Sequence, residues 1–225
     1  MKTTSATPNL IQLTRFRFVN AFLVREADGF TLVDTTIGNA ADALITAAEQ
    51  AGGRIRRIAL THGHGDHVGA LDALRERLAE SVEVLMPVLD ARIHAGEHVV
   101  DGKLPGSWPT LKTKPDVCLS GGERVGSLEV IPTPGHSPGH ISYLDTRDRT
   151  VIAGDVYTTY GRISVTDHFY ARFPFAAMAT WDKDKDLESA RTLRALDPAL
   201  LAVGHGPMIG SPGRAMDDAI VRGSG

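Results

Sequence analysis

Four short apolar runs in this chain each end on a residue able to bind a metal. Ile58–Leu60 leads to His62, Val130-Ile131 to His136, Val151-Ile152 to Asp155, and Leu201–Val203 to His205. In α/β folds ligands gather beyond the carboxyl ends of strands, so residues far apart in sequence can meet at one sheet edge. The first of these ends is the densest. Thr61 to Ala70 reads THGHGDHVGA and packs His62, His64, Asp66 and His67 into six residues. Gly63 and Gly65 carry no Cβ, so the backbone can turn sharply enough for alternate histidines to converge. Imidazole and carboxylate donors in one cluster suit a borderline or hard cation. Five of the nine histidines belong to this set.

The rest of the chain reads as a framework for those four ends. Strands are expected over Leu10–Phe18, Asn20–Arg25 and Phe30–Asp34, with Ala27-Asp28-Gly29 as a hairpin turn. An Ala-rich amphipathic helix follows over Asn39–Gln50, closed by Gly52-Gly53. A strand over Ile55–Thr61, a helix over Val68–Leu78 and a strand over Val82–Met86 complete a β-α-β-α-β order with helices covering a sheet. Pro87–Gly96 reads as a helix whose His94, like nearby His98, is a surface residue. Gly102 to Pro115 is a long loop in which Trp108 either walls a pocket or anchors its own loop. The second half repeats the pattern. Leu128–Ile131 is a strand, Ile141–Leu144 and Thr150–Ala153 form a hairpin, and a loop spans Val156 to Thr180. Leu187–Leu196 is a helix, Leu200–Val203 a strand and Gly213–Val221 a final helix.

A length of 225 residues suits one domain, 1–225. The polar start, Met1 to Asn9, lacks the apolar stretch of a signal peptide, and no run is long enough to span a membrane. A net charge of −3 gives no pull toward nucleic acid or an anionic membrane. Cytoplasmic location and a small-molecule substrate are the expectation, for a monomer or homodimer. The single cysteine, Cys118, excludes a disulfide framework and reads as a small buried hydrophobe.

Taken together, HGHGDH, His136 in GHSPGH, Asp155 in AGD and His205 in VGHGP resemble the metallo-β-lactamase superfamily, and the likeness covers nearly the whole chain. It implies an α/β fold of four layers, an αββα sandwich with two mixed sheets face to face and helices outside. Carried over by position, His62, His64 and His136 would hold one metal, Asp66, His67 and His205 a second, and Asp155 would bridge them. The metals implied are two divalent ions, zinc first, with iron or manganese as alternatives. Asp34 and His140 would orient ligands rather than bind. One position departs from the pattern: the glycine usual after Asp34-Thr35 is Thr36, with Gly38 two residues on.

The implied chemistry is hydrolysis. Hydroxide held between two cations would attack an ester-like bond (lactone, thioester or carboxylic ester), with Asp66 and His205 as catalytic ligands. The bridging Asp155 argues against β-lactam cleavage, and a glutathione-binding C-terminal segment of the long glyoxalase II type is not expected. Tyr157 and Tyr160, just past Asp155, are candidates for substrate contact, as in lactonase-like members. The aromatics from Tyr157 to Phe175 would line an apolar pocket. Alternatives from other classes are a mononuclear iron sulfur-dioxygenase, a phosphoester hydrolase on the same fold, and a scaffold without catalysis.

Overall fold

Successive side chains of a strand point to opposite faces, and over Val19–Val24 both faces are buried. The computed structural model describes residues 1–223. Its first sheet has seven strands in the order of the chain: β1 (Lys2–Ser5), β2 (Leu10–Arg15), β3 (Val19–Glu26), β4 (Gly29–Val33), β5 (Ile55–Ala59), β6 (Glu83–Pro87) and β7 (Val117–Leu119). Pairing is antiparallel from β1 to β4 and parallel from β4 to β7. The second sheet is built from β8 (Arg124–Val125), β9 (Leu128–Pro132), β10 (Ile141–Asp145), β11 (Thr150–Ile152), β14 (Leu200–Ala202) and β15 (Ile209–Gly210). Its β11 and β14 run parallel, and its other pairs are antiparallel. Between β11 and β14 the chain makes a separate two-stranded ribbon, β12 (Tyr157–Thr158) with β13 (Ser164–Val165).

Alternation sorts the buried side chains into three layers. Ala21, Leu23, Ile58, Leu60 and Val84 face α1 (Ala41–Gln50) and α3 (Leu71–Leu78), which supply Leu44, Ala48, Leu71 and Leu74. Their neighbours in sequence, Phe22, Val24, Ala59 and Leu85, point the other way and meet Val130, Tyr143, Ile152 and Ala202 between the sheets. On the far side, Val151, Leu201 and Val203 pack against Leu187, Ala190 and Leu193 of α6 (Lys183–Ala195) and Met216 and Ala219 of α7 (Gly213–Gly223). The result is the expected αββα sandwich of two mixed sheets between helices.

Several boundaries differ from the sequence reading. The first long strand stops at Arg15, because Phe16 and Arg17 take positive φ (49° and 72°) and turn the chain into β3. The helix expected over Val68–Leu78 is two pieces, α2 (Gly65–Val68) and α3. Between them Gly69 runs against backbone, its N–H donating to Thr36 O at 3.0 Å. The span 156–180 is a ribbon plus α5 (Phe175–Ala179) rather than a plain loop. Cys118 is exposed, not buried, because β7 is an edge strand. Among the described residues no helix is long and apolar enough to cross a membrane.

Candidate metal centre

The four strand ends meet at one edge of the sandwich. His62, His64 and His136 bring one ring nitrogen each to a common point, and Asp66, His67 and His205 do the same beside it with two nitrogens and a carboxylate oxygen. His62, His67 and Asp155 link the two, and within each group the donor atoms lie inside 4.8 Å. His64 Nδ1 is 3.0 Å from His136 Nε2. Asp155 faces both groups: its Oδ1 is 3.3 Å from His67 Nε2, and its Oδ2 is 3.5 Å from His136 Nε2 and 3.1 Å from His205 Nε2. Asp66 Oδ2 lies 3.3 Å from His205 Nε2. All seven are buried except Asp66, whose side chain is 32% exposed and forms the open side.

Four histidines are oriented from behind. His205 Nδ1 donates to Phe18 O (3.0 Å), and His67 Nδ1 to Asp34 Oδ2 (2.8 Å). His62 Nδ1 meets Thr61 Oγ1, whose own proton goes to Asp34, so the ring must donate. The same logic holds for His136 Nδ1 and Thr180 Oγ1, which donates to Ala176 O. With Nδ1 committed to these partners, Nε2 is the ring atom each histidine turns inward. His62 Nε2, His67 Nε2 and Asp155 Oδ1 are buried there without a hydrogen-bond partner. Ligand-type atoms turned toward one another in a buried cluster, with His62 Nε2 unpartnered and His67 Nε2 facing only carboxylate oxygens, are the arrangement a cation satisfies once the histidines give up their protons.

The two groups differ electrically. Burial drives the imidazoles of His62 and His136 well below their ordinary range. Burial also acts against a charged His205, but Asp155 and Asp66 outweigh it and raise it to about 10. His67 is likewise raised by Asp155, Asp34 and Asp66 against the cost of burial. Burial opposes charge on Asp155 too, yet His205 and His67 hold it well below the carboxylate range.

Buried polar side chains from neighbouring elements hold the strand ends. Asp34, at φ 61°, accepts from Thr61 N and Oγ1 as well as from His67. Thr36 occupies the position where a glycine was expected and takes the glycine conformation, φ 60°, fully buried. His140, buried and pushed down to about 3 by desolvation, accepts the Asp155 N–H at Nε2 (3.1 Å). Asn20 donates to Val203 O (2.8 Å) and Gly206 O (2.7 Å), bracketing His205. Asp90, in the first turn of α4 (Val88–His94), accepts from Gly63 N, Ser137 Oγ and Gly139 N. Sequence reading missed Asn20 and Asp90. Asn20 had a signal, a strand-averse amide inside Val19–Val24; Asp90 had none.

Aromatic rings close the sides. Phe18 lies 6.2 Å and Phe173 4.8 Å from the His205 ring, Tyr160 is 5.7 Å from Phe173, and Trp108 is 4.9 Å from His64. Trp108 anchors its own loop, its Nε1 donating to Pro105 O (2.8 Å). Tyr157 does not face the cluster: it is fully buried and its hydroxyl donates to Ala190 O on α6 (2.7 Å). His94 is not a free surface residue either, its two ring nitrogens lying 2.9 Å from Gly63 O and 2.9 Å from Pro109 O. His98 is exposed, as expected.

An αββα sandwich that gathers histidine and aspartate donors at the ends of its strands defines a class of metal-binding fold. The chain belongs to the metallo-beta-lactamase superfamily, whose family model matches residues 14–205. It is 41% identical over 208 residues to the uncharacterized protein YobT of Bacillus subtilis, covering 90% of this chain and 89% of the relative. To the hydroxyacylglutathione hydrolase GloC of Haemophilus influenzae it is 27% identical, covering 88% of this chain and 89% of that protein. A metallo-beta-lactamase from Pontibacter korlensis shares the fold at a TM-score of 0.74 with 16% identity, over 99% of this chain and 98% of that one. TTHA1623, solved in a di-iron-bound form, is 26% identical with a TM-score of 0.63, over 91% of this chain and 95% of that one.

Proposed function

We propose that this protein is a metal-dependent hydrolase of ester-like bonds in small molecules, with thioesters, lactones and carboxylic esters as the substrate class. The observation that carries this reading is the inward set of unpartnered donors, His62 Nε2, His67 Nε2 and Asp155 Oδ1, beside a partly open carboxylate. His62, His64 and His136 would hold one divalent ion, and Asp66, His67 and His205 a second. Asp155 would serve both, since its two oxygens face the two groups. Such ions, when bound, polarise a carbonyl oxygen and make water nucleophilic at neutral pH.

The protein's own part is binding and proton handling. In the metal-free protein burial opposes a charge on Asp66, but His67 and His205 push its carboxyl well down. As the partly exposed ligand of the cluster it would orient the attacking water and relay its proton to the departing alcohol or thiol. Phe18, Phe173 and Trp108 would seat the apolar part of the substrate and exclude bulk water, with the Tyr160 hydroxyl at the rim. The GloC relative is a hydroxyacylglutathione hydrolase, which supports including thioesters in the substrate class.

The test is a hydrolysis panel run with metal analysis: a glutathione thioester, a lactone, an aryl ester and a phosphodiester. Turnover of one of the first three that chelator abolishes and zinc restores supports the proposal. Turnover of the phosphodiester alone, or one iron per chain with oxygen consumption, overturns it.

A further inference from the structure

Asp90 is fully buried, and none of the influences on its carboxyl is a neighbouring cation. Such a carboxylate is unfavourable in a protein interior unless donors surround it. Here three do. Oδ2 accepts from Gly63 N (2.7 Å) and from Ser137 Oγ (2.7 Å), and Oδ1 accepts from Gly139 N (2.8 Å). Gly63 lies between His62 and His64, and Ser137 follows His136. These loops leave different sheets, the first after β5 and the second after β9. No sequence-local contact sets the distance between them, yet His64 Nδ1 and His136 Nε2 come within 3.0 Å. The approach is tight on the Gly139 side, where a Cβ would stand 2.6 Å from Asp90 Oδ1.

We infer that Asp90 is the positioning residue of the His62, His64 and His136 group, a clamp between the two loops that sets that group's metal affinity while touching neither metal nor substrate. The inference rests on reading these histidines as metal ligands. It also specifies which of the two metals depends on Asp90. Among the described residues none of Asp90's hydrogen bonds goes to Asp66, His67 or His205; His67 is held by Asp34 and His205 by Phe18 O, with Asn20 on the flanking carbonyls of Val203 and Gly206.

Asp90→Asn tests it at nearly constant volume. The amide must turn its NH2 either on Gly139 N–H or on the Gly63 N–H and Ser137 hydroxyl, so two donors meet whichever way it flips. Cobalt affinity of the apoprotein, read from visible absorption against a competing chelator, is compared in two backgrounds. His205→Ala leaves the three-histidine group, and His62→Ala leaves the other. The expected result is a ~10–100-fold loss in the first background, the size of other losses behind a ligand, and a change under about twofold in the second. Ser137→Ala, which removes one donor of three and keeps the charge, should give a smaller loss confined to the first background. Equal losses in both backgrounds, or none in either, overturn the proposal. Should Asp90→Asn fail to fold, Ser137→Ala decides, and no change in the first background counts against it. A parent protein that takes up no cobalt defeats the metal-ligand reading itself and this inference with it.

Discussion

Asp34 Oδ2 and His67 Nδ1 lie 2.8 Å apart, although 33 residues separate them in the chain. The same carboxylate takes the N–H and hydroxyl of Thr61 at 2.8 Å each, so one side chain orients His67 directly and His62 through Thr61. Its backbone sits in the left-handed region at φ 61°, a conformation that non-glycine residues adopt at a cost and keep where the surroundings require it. Asp34→Asn should weaken divalent-metal binding by about 10–100-fold, because the amide cannot accept from both partners. Chelator competition measures this, and an unchanged affinity would mean His67 needs no such support.

Removing a ligand should do more than removing a support. Asp66→Asn keeps the shape but loses the charge and the proton acceptor, so hydrolysis should fall by roughly 10²–10⁴-fold, with lower occupancy of the second metal. His140→Ala removes the acceptor behind the Asp155 N–H, and a milder ~10–100-fold loss is expected. Steady-state rates on a verified substrate, with metal restored, check both. Parental activity in Asp66→Asn would rule out a role for Asp66 in the reaction.

Gly204 stands where a side chain has no room. A Cβ there would lie 2.6 Å from His67 Cε1 and would collide with Asp155 Oδ1. Gly204→Ala should cost about 1–3 kcal/mol by overpacking and also lower the metal content. Urea unfolding with metal analysis tests this; full stability together with full metal content would contradict the packing argument.

The charge pattern predicts a pH response of the metal-free protein. Burial disfavours a charge on His205, but Asp155 and Asp66 outweigh it and push its imidazole from the ordinary 6.5 up to about 10 in the folded, metal-free protein. Because the folded value is raised, its stabilisation is fully present below 6.5 and is lost as pH rises through about 10. The urea midpoint of the apoprotein should therefore fall between those limits, and His205→Gln should flatten the fall. Metal uptake near neutral pH should release protons, seen as a buffer-dependent heat. A parent profile flat over this window would contradict the ion pairing of His205 with Asp155 and Asp66.

Phe173 lies 4.8 Å from the His205 ring and is flanked by Phe18, Tyr160 and Phe175. If this wall seats the apolar end of the substrate, Phe173→Ala should raise KM about tenfold for an aryl or long-chain ester and leave kcat within a few-fold, since a buried methylene or two is worth ~1–3 kcal/mol. The same loss on a small polar ester would place the effect in folding rather than recognition.

The seven candidate donors and their four strand ends were legible in the residues themselves, whereas the αββα layering was legible only through the resemblance of those motifs to a known family. A strand records its burial in a period of two, and a donor cluster after an apolar run records the end of that strand. Supports carry no such period. Asp90 and Thr180 look like ordinary polar residues at helix ends, and the loops they hold become neighbours only when the two sheets stack. Tyr157 shows the opposite limit. Its position two residues past Asp155 suggested a substrate contact, but pairing of β12 with β13 turns the ring under α6, where its hydroxyl meets Ala190 O. Which donors a chain owns is a property of its sequence; which way each side chain faces, and what holds it there, is decided by the packing of segments distant in sequence.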